Sequence, residues 1–220
     1  YKVLKDHTYF YRQEVLDFEE ELIDCIGKAD VIIPLAAIVG APACDKIRDY
    51  AAAINQYWYH QLIRCIKDHG TNPLIIYPNT NSGYGVSDGE AHCTEETPLA
   101  PISVYGKTKC DAEEWVHGAG HTSLRLATVF GTSFRFRKDL LVNDFVLRAV
   151  TDSCITLFES SFKRNFIHIR EVAHAFIHMF GHRPHPNNEG ATIFIDDDNN
   201  LFNPYGQPYN CLLYTSDAAD

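Results

Sequence analysis

Tyr105 and Lys109 stand four residues apart at the start of a helical stretch. On a helix the fourth residue returns to the same face, so a phenol and an ammonium at this offset share one small space. The chemistry such a pair offers is proton abstraction by a phenolate. An unperturbed tyrosine titrates near ~10, so work near neutrality needs a shift of roughly three units, about 4 kcal/mol, and a neighbouring cation pushes in that direction. A hydroxyl partner lies upstream, where a strand-like run ends in Pro78-Asn79-Thr80-Asn81-Ser82-Gly83-Tyr84-Gly85. Spacing alone leaves plainer readings open. With 12 tyrosines in the chain, a Tyr-x-x-x-Lys can be an exposed helix pair, and Thr80 can be a turn residue bonding its own backbone.

The elements that must position these groups follow from periodicity. Ala29-Asp30-Val31-Ile32-Ile33-Pro34-Leu35-Ala36-Ala37 reads as a short apolar strand running into two small residues, where a backbone can approach a ligand closely. A long helical stretch follows, roughly 44–68, with Asn55 set amid Ala and Ile; Leu74-Ile75-Ile76-Tyr77 is a second strand and Leu124 to Gly131 a third. Strands alternating with helices argue for an α/β fold, a parallel sheet covered on both faces. In such sheets ligands lie beyond the carboxyl ends of the strands, where Thr80 and Thr128 fall.

Five segments, in order and spacing, carry a resemblance: Leu35-Ala36-Ala37, Asn55, Thr80 to Gly85, Pro101-Ile102-Ser103-Val104-Tyr105-Gly106-Lys107-Thr108-Lys109, and Lys163-Arg164-Asn165-Phe166-Ile167-His168-Ile169. From about Glu14 to about Asn200 the chain resembles the extended short-chain dehydrogenase/reductases, and among them the NAD-dependent epimerase/dehydratase family that acts on nucleotide sugars. The resemblance implies a Rossmann-like doubly wound parallel sheet with a small mixed α/β substrate-binding portion. It implies Tyr105 as catalytic base, Lys109 as its partner and holder of the nicotinamide ribose, and Thr80 as the group that hydrogen-bonds the reacting hydroxyl. Glu14 and Val15 fall where adenine is met, and Leu35, Ala36, Ala37 and Asn55 fall along the NAD site. Ser82, Thr128, Asn143 and Arg164 are the expected substrate contacts, the last two at the phosphates, which a planar guanidinium can grip at two points. Asn143 also reads as a polar helix position, and Arg164 as a strand-flanking charge.

Two departures from the family pattern narrow the reaction. The 4,6-dehydratases carry Asp-Glu directly after the catalytic Thr, and here Asn81 and Ser82 stand there. An amide and a hydroxyl do not move protons near neutrality, which disfavours dehydration. Thr128 and Glu171 replace an Asn of some 4-epimerases and an Asp of many relatives, which bears on substrate identity. The expectation is an NAD-dependent epimerase passing through a transient keto sugar. The alternatives are a reductase or dehydratase of nucleotide sugars and, from another class, a non-catalytic dinucleotide-binding regulator.

The cofactor's pyrophosphate would sit on a Gly-rich turn opening the first helix. No G-x-G-x-x-G occurs, and Tyr1-Lys2-Val3-Leu4 reads like the approach to a third strand. The first strand, first helix and second strand are therefore expected to lie outside this chain, which by itself is expected to be inactive. Residues 211–220 are encodable by a string that matches a sequencing-library transposase adapter and are set aside as a non-native tail. The expected organisation is a truncated NAD-binding domain over 1–133 and an incomplete substrate-binding portion over 134–210, with 164–180 returning to the core.

Composition bounds the partners. The formal charge of −10 becomes −8 without Asp217 and Asp220, which argues against a nucleic-acid surface. An anionic sugar nucleotide then needs local cations, Arg164 first, with Arg135 or Arg137 of the Phe134 to Lys138 run as further candidates unless that run is a solvated loop. No apolar run is long enough to span a bilayer. The cysteines show no Cys-x-x-Cys spacing, so free thiols of a cytoplasmic enzyme are expected. His174 and His178 lie one helical turn apart without a third acidic ligand in register, and no metal is expected. The family often pairs through two helices, here 45–68 and 105–117, so a homodimer is expected at full length.

Overall fold

The computed structural model describes residues 8–86, 93–158, 164–181, 194–195, 201–202 and 208–211. Tyr1 to Leu4, Lys163 and most of the 211–220 tail lie outside the described residues. Helix α1 (Glu20–Lys28) opens with Glu20 and Glu21 and closes with Lys28, charges that complement the helix dipole. Strand β1 is only Val31–Ile32; Pro34, which lacks an N–H, follows it.

The helical stretch expected over 44–68 is not one helix. It comprises α2 (Ala41–Lys46), α3 (Arg48–Ala52), a π-helical turn over Ala53–Tyr57, and α4 (Trp58–His69). The break falls at Ile47, whose φ of −136° and ψ of 54° leave the helical region, and α3 restarts when Ala51 N–H donates to the Ile47 carbonyl at 2.8 Å. At the far end α4 closes on Gly70 at φ 63°. Gly70 and Thr71 N–H groups there satisfy the Lys67 and Ile66 carbonyls, the left-handed cap that favours glycine.

Strand β2 (Leu74–Thr80) is buried along its length except at Pro78. Its register with β1 covers only Leu74 and Ile75, so Pro78 lies where β2 has a partner on one side alone, a place that tolerates a residue without N–H. Helix α5 (Val104–Gly118) leads to β3 (Thr122–Leu126), and the sheet runs β1-β2-β3-β8 with every pairing parallel; β8 is Pro208–Cys211. Residues 208–211 thus join the main sheet through β3, and β8 ends at the first residue of the expected tail.

Alternation on β2 explains the two cores. Ile75 and Tyr77 pack with Ile26, Trp58, Leu62 and Val116 on one face. Leu74 and Ile76 pack with Leu124, Ile167, Val172 and Phe176 on the other. Both faces of the sheet are covered, as an all-parallel sheet requires.

The third expected strand changes partner midway. After β3 the chain passes Ala127 and continues as β4 (Thr128–Phe130), which pairs with β5 (Phe166–His168) in a separate parallel ladder. Between them lies α6 (Leu141–Thr151), and after β5 comes α7 (Ile169–Gly181). A short antiparallel pair, β6 (Phe194–Ile195) with β7 (Leu201–Phe202), precedes β8. Residues 154–158 form no strand. Among the described residues no helix is long and apolar enough to cross a membrane, and Cys25, Cys44, Cys65, Cys93, Cys110 and Cys154 are free thiols.

Candidate active site

β2 delivers Thr80 to the carboxyl edge of the sheet, and the chain then turns through a single 3₁₀ turn, Asn81–Tyr84. Thr80 Oγ1 accepts the Ser82 N–H at 3.2 Å, and the same hydroxyl is near enough to the Tyr105 phenol to influence its titration. The turn-residue reading of Thr80 is therefore present in the structure. Gly85 at φ +74° closes the turn; a Cβ there would lie 2.2 Å from the Ala100 carbonyl oxygen, and Ala100 N–H bonds Gly83 O at 2.9 Å. That close approach leads the following loop into α5, whose first turn is capped by Ser103 Oγ accepting Gly106 N–H at 3.0 Å.

Tyr105 and Lys109 lie on α5 as the spacing predicts, the first half-buried and the second 2% exposed. The ammonium of Lys109 lies 4.1 Å from the Tyr77 ring centroid and 5.9 Å from that of Tyr59, a cation held by π faces. Tyr77 OH donates to the Lys109 carbonyl at 3.0 Å. Burial pushes Lys109 down to about 7, and Glu113 works against that fall.

The phenol differs from the sequence-based expectation. Burial pushes Tyr105 up to about 12, the Cys44 thiol adds to the rise, and the Thr80 hydroxyl and the Arg137 charge oppose it without cancelling it. Removing a phenolate from water costs more than these two groups return. The chain alone does not supply a lowered phenol.

Asn55 sits in the π-helical turn, fully buried. Its amide makes a matched pair with one backbone unit: Ile38 N–H donates to Oδ1 at 2.9 Å, and Nδ2 donates to Ile38 O at 2.9 Å. The Cys44 thiol donates to the same carbonyl at 3.2 Å. Asn55 therefore shapes the loop that carries Leu35, Ala36 and Ala37, with Leu35 70% exposed at its apex. π turns recur at functional sites. Glu14, exposed, accepts Tyr50 OH at 3.2 Å, and Val15 packs against the first core cluster.

Thr128 opens β4, half-buried, and Ser82 is exposed. Asn143 is buried, and its amide spans the loop before it: Oδ1 accepts Gly131 N–H at 3.1 Å and Nδ2 donates to Arg137 O at 3.1 Å. Both bonds are to backbone, so its structural part is a clamp on the 131–140 loop. Arg164 is exposed just before β5. Arg137 is half-buried, held by Asp139 at 2.7 and 2.5 Å, and is the Arg of the 134–138 run whose charge reaches Tyr105.

Two buried groups went unnoticed in the sequence, Glu113 on α5, four residues after Lys109, and Arg125 on β3, which form an ion pair of 2.7 Å. Glu113 continues the Tyr105, Lys109 series by four more residues, and Arg125 interrupts the apolar β3 run. Either was a signal.

The sequence profile of the NAD dependent epimerase/dehydratase family matches residues 3–191. An uncharacterized UDP-glucose epimerase of Bacillus subtilis (strain 168), YtcB, is 28% identical over 182 residues, which cover 79% of this chain and 55% of YtcB. The chain thus spans about 55% of the length of that curated relative. The structure of UDP-glucuronic acid 4-epimerase from Bacillus cereus in complex with NAD superposes with a TM-score of 0.73 at 22% identity, over 97% of this chain and 63% of that one. The dTDP-glucose 4,6-dehydratase of Bacillus anthracis str. Ames in complex with NAD gives 0.67 at 19% identity, over 96% and 61%. Both likenesses are likenesses of fold.

Proposed function

The chain belongs to the NAD dependent epimerase/dehydratase family, and from that premise we propose that it is the catalytic part of an enzyme that epimerises one carbon of a nucleotide-linked sugar. The observation that carries this reading is the meeting of three groups: the Thr80 hydroxyl at the end of β2, the Tyr105 phenol whose titration it influences, and a buried Lys109 one turn further along α5. A regulator that merely kept the fold has no chemical need for all three groups.

The residues present fit a dinucleotide. An exposed loop of small residues, Leu35 to Ala37, projects beyond β1 and is fixed from behind by Asn55. Leu35, Ala36, Ala37, Tyr105 and Lys109 would hold the nicotinamide half, and Glu14 and Val15 the adenine. NAD, when bound, supplies a reversible hydride acceptor. Its positive charge and that of Lys109 would lower the phenol that burial alone raises.

Tyr105 Oη takes the proton of the ring hydroxyl, which Thr80 Oγ1 orients. The carbon becomes a ketone, the sugar turns, and Tyr105 returns the proton when the opposite face is reduced. Arg164, exposed before β5, offers a guanidinium fork to the diphosphate, and Arg137, already bonded to Asp139, adds a second positive charge. Asn81 and Ser82 stand where a dehydratase needs carboxyls, which favours inversion over loss of water. UDP-hexoses and UDP-hexuronic acids are the first substrates to offer, given the names of the relatives.

The experiment uses the full-length protein with UDP-, GDP-, CDP- and dTDP-hexoses and UDP-glucuronic acid. An epimerase gives a product of unchanged mass, no net NADH, and no solvent deuterium at a C4 epimer. A product lighter by one water assigns the protein to the dehydratases, with Glu95 or Glu96, both exposed before α5, as candidates for the elimination. Stoichiometric NADH assigns it to the oxidoreductases.

A further inference from the structure

Glu113 lies eight residues after Tyr105 and four after Lys109 on α5, so the three side chains form one stripe along the helix. It is 2% exposed, and a carboxylate so deep is costly unless it is paired and hydrogen-bonded. Its pairing is extensive. Arg125 Nε donates to Oε1 and Oε2 at 3.2 and 3.1 Å, and Nη2 donates to Oε2 at 2.7 Å. Ser123 Oγ donates to Oε1, and His117 Nε2 lies 3.0 Å from that hydroxyl. Burial would raise Glu113, but these bonds outweigh it and hold the carboxyl below its ordinary value. The outer edge of the guanidinium, Nη1, donates to Tyr84 OH at 2.9 Å and to the Glu95 carbonyl at 3.2 Å. One Arg therefore ties together the helix bearing the base, the turn after Thr80, and the loop entering α5.

The groups that face Lys109 come from three elements. Tyr77 on β2 and Tyr59 on α4 are phenols raised by burial and therefore neutral. Cys110, its neighbour on α5, is a thiol pushed up to about 12 by burial. Glu113 supplies the charge, and it is the foremost group opposing the desolvation of the ammonium.

We propose that Glu113 is a positioning residue for the reaction: clamped by Arg125, its buried carboxylate keeps the Lys109 ammonium charged behind the Tyr105 phenol and fixes α5 against the Thr80 turn. The catalytic part of this statement rests on Tyr105 acting as the base, as proposed above. The sign is definite. Removing the carboxylate charge makes the ammonium easier to deprotonate, so Lys109 titrates lower and a smaller fraction is charged at neutrality.

The test uses the full-length protein labelled with [ε-¹³C]lysine, with the Lys109 resonance assigned through Lys109→Met. Its titration is read by NMR without substrate, beside the pH profile of kcat. In Glu113→Gln the Lys109 titration should fall by about one pH unit or more. Turnover at neutrality should fall about fivefold, as the charged fraction goes from about a half to about a tenth, with KM changing much less. The double variant Glu113→Gln/Arg125→Gln removes the pair as a unit and leaves no lone buried charge; its Lys109 titration should also fall, by less than in Glu113→Gln, because the opposing guanidinium charge is lost with it. A Lys109 titration unchanged in either folded variant overturns the proposal, as does a lowered titration with unchanged turnover. Failure of both variants to fold also overturns it, because the pair is then a determinant of the fold alone. A parent with no turnover on any sugar nucleotide defeats the functional reading separately, since the NMR titration needs no reaction.

Discussion

Arg125–Glu113 and Arg148–Asp144 are the same chemical pair at nearly the same length, 2.7 and 2.8 Å. The first has side chains 6% and 3% exposed, and the second 55% and 31%. The buried pair stands in the half that carries Thr80, Tyr105 and Lys109. The wet pair lies on α6, beyond the partner change at Ala127, in the half that carries Thr128, Asn143 and Arg164. The difference separates two kinds of precision. The half that would move protons is fixed by charges the core cannot release cheaply. The half that would recognise a substrate keeps its charges in water and its backbone in loops, where side chains can be exchanged at little cost to the fold.

That contrast can be broken at its strongest point first. In the full-length enzyme Tyr105→Phe removes one hydroxyl and should lower kcat by about 10²–10⁴-fold with little change in KM, the usual worth of a positioned acid/base group. Turnover within threefold of the parent would move the chemistry off α5. Arg125→Leu should cost about 3–5 kcal/mol of unfolding free energy in denaturant melts, because it leaves Glu113 buried without its cation. A loss below about 1 kcal/mol would put the two ion pairs in one class. Arg148→Ala makes the smallest change: an exposed helical pair is worth about 0.3–0.5 kcal/mol, a loss that should vanish in high salt.

How much of this was legible differs between the two halves for a physical reason. Tyr105, Lys109 and Thr80 lie within short stretches of one helix and one turn, where local spacing is three-dimensional proximity. The parallel order of β1, β2 and β3 followed from apolar runs alternating with helices. Glu113 was missed although it continues the same stripe, because a lone Glu on a helix reads as a solvated charge until Arg125 arrives from another strand. Asn55 stood out amid Ala and Ile, but its partner, the Ile38 backbone 17 residues away, is a tertiary fact. The single helix expected over 44–68 failed at Ile47 and at the π turn, neither of which carries a Gly or Pro to announce it. The strand over 124–131 was read as one element because Ala127 interrupts its pairing without interrupting its apolar character.

The π turn at Ala53–Tyr57 also makes the chain keep count. It holds one residue more per turn than the helix around it, and each helical residue advances the face by about 100°. Deleting any one of the five would turn α4 by that angle relative to α3. Trp58, Tyr59, Leu62 and Ile66, now buried, would swing from the sheet toward solvent, and Tyr59 would leave Lys109. The segment is thus a length gauge, open to substitution at exposed Tyr57 but closed to insertion and deletion. The loop between Gly131 and Leu140 has no such arithmetic. Related chains should vary in length there and hold their count at Asn55.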